Sequence, residues 1–214
     1  MIELQHPEAL MVDGKWFGGS QTWYPKYWQR MGGCGATAAS LLVWYLAQTR
    51  PRCAALCPIQ RRSKSEFLSI MNEMFTCITP GFRGVNTSSK FSAGLYLYLK
   101  RYGIMCDGLS CYDIVPQKRH VSAAERHVAQ ELQADRPVAF LNLHSGNQKH
   151  LDGWHWTVLT AFDPKNGNAK LCDQGAEIEF SLRDWLQTTK RGGAFVNINE
   201  LREENEHEIL CFTG

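Results

Sequence analysis

The chain has 214 residues, of which 44% are hydrophobic and 21% charged, and its formal net charge is +2. This composition fits one globular domain, residues 1–214, that can bury a full apolar core without disulfides. The small net charge and the scattered basic residues argue against binding to nucleic acid. The most apolar run, Ala36 to Ala47, is too short to cross a bilayer. A cytoplasmic protein without a nucleic-acid or membrane partner is therefore expected.

The first half of the chain predicts mainly helices. Residues 1–30 are rich in Trp, Tyr, Gly and Pro, which favours an irregular segment packed through aromatic rings. A central helix is predicted from Cys34 or Gly35 to about Gln48, because apolar residues recur at helical spacing. Residues 103–115 predict strand and turn. Three further helices are predicted. The first spans about 65–75 and is capped by Ser63 with Glu66. The second spans 87–102 and is stopped by Gly103, and the third spans 123–134 and is capped by Ser122 with Glu125.

The second half predicts mainly strands. A turn rich in Asp, Pro, Asn and Gly at 163–168 separates two of them and indicates a hairpin. A short helix is predicted at 181–189, with Ser181 as its cap. Helices followed by a mainly antiparallel sheet indicate an α+β fold. The predicted strands are 137–143, 156–162, 169–172, 177–180, 194–198 and 209–212.

A reactive cysteine is predicted where loop becomes helix. Cys34 is flanked by Gly32, Gly33, Gly35 and Ala36, and small neighbours would let a substrate backbone approach its sulfur. A helix start supplies unpaired amides and a partial positive charge, which stabilise the reactive thiolate. A buried structural cysteine in a tight glycine turn would have the same local sequence. Cys34 is therefore a candidate nucleophile that needs a base.

The hairpin supplies a candidate base and a carboxylate. His155 opens the predicted strand, where an imidazole could be held rigidly. The centre of the turn pairs residues whose numbers sum to about 331, so His155 and Asp173 lie nearly opposite each other, within the slack of a bulge. A carboxylate there could fix the imidazole tautomer. Asp163 lies at the far end of the strand, where initiating the turn explains it.

An oxyanion donor would complete the site. A neutral side-chain amide upstream of the cysteine could stabilise a tetrahedral oxyanion together with the backbone amide of Cys34. Gln29 lies five residues before the cysteine and Gln21 thirteen before it. Spacing favours Gln29, and Gln21 stays open as the alternative.

These motifs resemble a known family. Gln-x4-Cys-Gly-Ala, then His-Trp-Thr-Val-Leu, then a hairpin return ending in Asp-x-Gly resemble the bacteriocin-processing-peptidase-like branch of the papain-like cysteine peptidases, and residues 17–25 resemble uncharacterised bacterial proteins of that group. The resemblance implies a papain-like fold, in which the central helix packs on the sheet, with Cys34 as nucleophile, His155 as base and Asp173 as its orienting group. The family's glutamine usually lies one position farther from its cysteine. The long Cys34-to-His155 separation suggests a helical insertion at about 50–135.

The predicted activity is hydrolysis of a peptide or other amide bond through a thioester acyl-enzyme. Two alternatives stay open: transfer of the acyl group to an amine, as in transglutaminase-like enzymes, and a catalytically silent papain-like binding module. No metal is expected, because the pairs Cys53-x3-Cys57 and Cys106-x4-Cys111 lack zinc-ribbon spacing and no histidine pattern completes the set. No cofactor is expected either, and the Gly-rich stretches lack a phosphate-loop pattern. The eight cysteines are expected to be reduced. Substrate identity and oligomeric state stay open.

Overall fold

A computed structural model describes residues 1–57, 59–118 and 120–203, without the side chains of 105–107 and 200–203. The predicted strand 209–212 and Cys211 lie outside the described residues. The helices are α1 (Tyr27–Gly32), α2 (Cys34–Thr49), α3 (Lys64–Cys77), α4 (Ser88–Arg101), α5 (Val121–Gln133) and α6 (Leu182–Thr188). The strands are β1 (Ile2–Glu3), β2 (Met11–Val12), β3 (Trp16–Phe17), β4 (Ile104–Ile114), β5 (Val138–Asn142), β6 (His155–Phe162), β7 (Asn168–Asp173), β8 (Ala176–Ser181) and β9 (Gly193–Glu203).

One antiparallel sheet organises the described residues. Its strand order is β4-β9-β5-β6-β7-β8, and β1 pairs with the end of β6 that extends beyond Val138, the first residue of β5. Side chains alternate between the two faces of a strand. Trp156 of β6 stacks on Phe91 of α4, whereas Phe140, on the opposite face of neighbouring β5, packs edge-on against Trp185 of α6. Helices therefore cover both faces of the sheet.

Helix α2 is the central element of the helical layer. Of its 16 residues, 12 are buried, and Trp44 and Tyr45 have no exposed surface. A helix that is apolar on all sides must be covered on all sides. It packs against α3, α4 and strands β5 and β6. This packing fixes the start of α2 beside the start of β6, so Cys34 and His155 lie in the same part of the molecule.

The α+β prediction is confirmed, with most elements within a few residues of their predicted bounds. The capping box at Ser63 is present, since Ser63 Oγ accepts from the Glu66 amide and the Glu66 carboxylate accepts from the Ser63 amide at 2.8 Å. The capping box predicted at Ser122 is wrong. Helix α5 begins at Val121, and Glu125 accepts a hydrogen bond from Arg183 at 2.7 Å instead.

Two further differences concern segments around the site. Helix α1 begins at Tyr27, within the first thirty residues that were predicted to be irregular, and ends at Gly32. Residues 50–135, predicted as a helical insertion, hold helices α3 to α5 and also strand β4, which pairs along its length with β9. Among the described residues, no helix is long and apolar enough to cross a membrane.

Replacing Ser63 by alanine should lower the free energy of unfolding by about 1 kcal/mol, because the Glu66 amide at the start of α3 loses its side-chain acceptor. Urea denaturation measures the change. The control is Ser69→Ala, at an exposed position inside the same helix, where a change within about 0.5 kcal/mol is expected. Equal destabilisation by both substitutions would contradict the capping role.

Candidate active site

Cys34 lies at the helix start that the sequence predicted. It is the first residue of α2 and only 9% of its surface is exposed. Gly33, at the N-cap position, supplies no side-chain acceptor for the first amides of the helix. Those amides and the helix dipole favour negative charge at this position. The local structure therefore suits a thiolate.

The glycines around Cys34 serve packing. A Cβ on Gly33 would lie 2.4 Å from the Tyr24 ring and 2.5 Å from the Gln29 carbonyl oxygen, and one on Gly35 would lie 3.2 Å from Val85. The predicted reason for these small residues, space for a substrate backbone, is therefore wrong at these two positions. Protein atoms fill the space that the missing side chains leave.

His155 and Asp173 meet across the predicted hairpin. The His155 Nε2 and Asp173 Oδ1 atoms are 2.8 Å apart, and the two side chains are 9% and 13% exposed. Strands β6 and β7 pair Phe162 with Ala169, and an extra residue at Thr160 shifts the register by one before Val158 pairs with Cys172.

This register places Asp173 diagonally across from His155, two positions from its direct partner. A diagonal pair lies within reach of long side chains. The prediction that the two residues lie nearly opposite each other, within the slack of a bulge, is confirmed. Asp163 forms the turn, where its carboxylate accepts from the Lys165 amide at 3.0 Å.

The charged form of His155 is stabilised. Burial alone would lower its pKa, but hydrogen bonding to Asp173 and interaction with the Cys34 sulfur outweigh that effect and raise the pKa to about 10. Since Nε2 bonds the carboxylate, Nδ1 is the ring nitrogen left for Cys34. The imidazole therefore carries a proton at neutral pH and can give one away through Nδ1.

The three side chains line one cavity. Its volume is about 20 Å³, which is close to the space that a single water molecule needs. Its lining takes polar groups from Cys34, His155 and Asp173 and apolar surface from Leu41, Val158 and Cys172. The cavity therefore joins the helical layer to the β6–β7 hairpin.

Gln21 reaches this cavity and Gln29 does not. Gln21 lies in a 3-10 turn, lines the cavity with Cys34, and its buried carboxamide oxygen has no hydrogen-bond partner among the described residues. Gln29, which spacing favoured, is a buried residue of α1, 8% exposed, and is absent from the lining. Helix α1, which was not predicted, explains the difference. Gln29 is a buried residue of this helix, whereas Gln21 lies in the 3-10 turn before it.

Gln174 also lines the cavity, which the sequence analysis did not predict. It lies with Gly175 in the two-residue turn between β7 and β8, where both have positive φ, 49° and 83°. Its carboxamide oxygen accepts from Ser20 Oγ, which also caps the turn that carries Gln21. This hydrogen bond links the β7–β8 hairpin, which carries Asp173, to the 3-10 turn that carries Gln21. A Gln-Gly pair following Asp173 was the available signal.

Comparisons with known proteins give fold likeness at low identity. The chain is similar to a double glycine motif protease from an AMS/PCAT transporter, solved in complex with the leader peptide (12% identity, 78% of this chain and 84% of that chain, TM-score 0.39). It is also similar to the Pseudomonas avirulence protein AvrPphB (11% identity, 79% and 93%, TM-score 0.41). No protein-family model and no curated protein matches it. Likeness at this level concerns the path of the chain and does not bear on its chemistry.

Replacing Asp173 by asparagine should lower the pKa of His155 by about 1 to 3, because the buried imidazolium loses its countercharge. NMR titration of the imidazole measures this pKa. The free energy of unfolding should also respond: His155 has an ordinary pKa near 6.5 when unfolded and about 10 when folded, so stability falls as pH rises between these values, and the variant should show a smaller fall.

The control is Asp163→Asn, at the other end of the same hairpin. It should leave the pKa of His155 unchanged, since Asp163 lies in the turn. An unshifted His155 pKa in the Asp173 variant would show that the carboxylate does not set the charge of the imidazole.

Proposed function

We propose that this protein is a cysteine peptidase or related amide hydrolase of papain-like type, with Cys34 as nucleophile, His155 as base and acid, and Asp173 as its orienting group. One observation supports this most: a thiol at a helix start shares a cavity with an imidazole that is bonded to a carboxylate at 2.8 Å. The imidazole has the carboxylate partner that a base requires, and the thiol lines the same cavity as the imidazole. The family resemblance of the sequence accords with it.

The first half of the reaction forms an acyl-enzyme. The Cys34 sulfur attacks the carbonyl carbon of the amide while the thiol proton resides on the imidazole of His155. The protonated Nδ1 then gives this proton to the leaving nitrogen, the C–N bond breaks, and the amine departs, leaving a thioester on Cys34. The raised pKa of His155 keeps that proton in place at neutral pH.

The second half releases the acyl group. His155 takes a proton from water, the resulting hydroxide attacks the thioester carbon, and the C–S bond breaks. The carboxylic acid departs and the thiolate–imidazolium pair is restored. Asp173 accepts from Nε2 throughout, which keeps the same ring nitrogen turned to the reacting atoms.

Gln21 is the proposed oxyanion donor, together with the backbone amide of Cys34. Rotation about the last side-chain bond exchanges the oxygen and nitrogen of a carboxamide, so Gln21 can present its NH₂ group to the cavity. Its unpartnered position there suits a group whose hydrogen-bond partner arrives with the substrate. Gln29 lacks access to the same space.

Replacing Cys34 by alanine should reduce kcat/KM on a cleavable peptide by at least about a thousandfold, because no other nucleophile replaces the sulfur. Iodoacetamide should label wild-type Cys34 at neutral pH. The matched control is Cys172→Ala, which removes another thiol that lines the cavity. Burial raises the Cys172 pKa well above its usual range, so this variant should keep activity and labelling.

Turnover that survives in the Cys34 variant would contradict the proposal. Loss of activity and labelling in both variants would point to a collapsed cavity, which circular dichroism would reveal. Product analysis with added amines distinguishes hydrolysis from acyl transfer, since only a transferase would place the acyl group mainly on the amine.

Replacing Gln21 by alanine should lower kcat by about a hundredfold, since one oxyanion donor is lost. KM should change little, because the oxyanion forms only after binding. Gln29→Ala is the matched control, a buried glutamine on the preceding helix, and should leave kcat near the wild-type value in whatever fraction folds. If Gln29→Ala lowered kcat and Gln21→Ala did not, Gln29 would be the oxyanion donor instead.

A further inference from the structure

Charge is unevenly divided between the two halves of the chain. Residues 14–104 carry 12 of the 23 lysines and arginines but only two carboxylates, Glu66 and Glu73. These residues form helices α1 to α4, the layer that carries Cys34. The expectation of scattered basic residues is therefore wrong for this layer. The net charge of +2 is the sum of a strongly basic helical layer and an acidic remainder of the chain.

Large apolar side chains are exposed in the same layer. Tyr27, Trp28 and Met31 are on the solvent face of α1, and Phe82 is fully exposed in the loop between α3 and α4. These four residues are called the apolar surface below. Exposed apolar residues that group together usually mark a binding surface.

The apolar surface stands beside the cavity. The loop that carries Phe82 touches the end of α1, since a Cβ on Gly32 would lie 3.2 Å from Pro80. The same loop reaches the start of α2, where Val85 packs against Gly35. Whatever covers the apolar surface therefore comes close to Cys34.

Basic residues alternate with these apolar side chains. Lys26 and Arg30 flank the exposed face of α1, and Arg83 directly follows Phe82. Lys26 and Arg83 are exposed. Residues 24–33 and 79–90 contain no carboxylate, so the partner that complements this surface is anionic.

We propose that the apolar surface, with its flanking lysine and arginines, binds an anionic lipid bilayer. Phe82 stands free of the protein surface, as a side chain that enters the acyl region does, whereas a peptide-binding site would hold it in a groove. Trp, Tyr and Phe with adjacent basic residues are the combination that the interface of an anionic membrane favours. Binding of this kind would hold the cavity close to the lipid surface.

Vesicle flotation of the full chain tests the proposal. The protein should float with vesicles of phosphatidylcholine and phosphatidylserine much more than with phosphatidylcholine alone, and added salt should weaken this binding. The Cys34→Ala variant should float equally well, so failure of the proposed catalysis and failure of membrane binding are separate results.

Substitutions within the apolar surface test whether its residues bind the vesicles. Met31→Ser with Phe82→Ser should lower vesicle partitioning at least about tenfold. The matched control is Tyr96→Ser with Leu97→Ser, an exposed apolar pair on α4, which should change it little. Lys26→Gln with Arg83→Gln should lower binding to the anionic vesicles by about fivefold per charge.

Absence of flotation with anionic vesicles would overturn the proposal, as would equal effects of the Met31/Phe82 pair and the α4 control pair. A third outcome would also overturn it: unchanged flotation of the Met31/Phe82 variant together with a raised KM for an acidic, apolar peptide. That result would identify the surface as a docking site for a polypeptide.

Discussion

The contact between the first turn of α2 and the first residues of β6 is the constraint on which the site depends. It brings together a thiol and an imidazole from distant parts of the chain, and it is maintained by the burial of α2 on all sides. Glycines at 33 and 35 permit the close approach of Tyr24 and Val85 that seats the helix. The position of Cys34 therefore follows from core packing, and its electrostatic surroundings follow from its position.

Burial and countercharge act in opposite directions at His155. A buried imidazolium without a partner would lose its proton, since desolvation disfavours the charged form. The carboxylate of Asp173, held two register positions away on the neighbouring strand, reverses this. The extra residue at Thr160 belongs to the same arrangement, because it sets the register that brings the two side chains together. The hairpin thus holds the imidazole in place and supplies the electrostatic field that keeps it charged.

Much of the fold could be predicted from local sequence signals. The helix from Cys34, the capping box of Ser63 with Glu66 and the turn after Asp163 each depend on residues within a few positions of one another. The His155–Asp173 pair could also be predicted from the sequence, because the position of a hairpin's turn determines which residues of its two strands lie opposite each other. The box predicted at Ser122 failed because Glu125 makes a tertiary bond to Arg183, which no local pattern reveals.

The sequence by itself determined the α+β class, the helix that begins at Cys34 and the strand pairing of the hairpin, since backbone propensity and turn position act over short distances. Only the tertiary structure decided which glutamine reaches the cavity, because Gln29 is a buried residue of the six-residue helix α1, whereas Gln21 lies before that helix and lines the cavity. It also decided that Phe82 faces solvent. Long-range packing controls which side chains share a space, and that packing is the sum of many weak contacts that no single motif encodes.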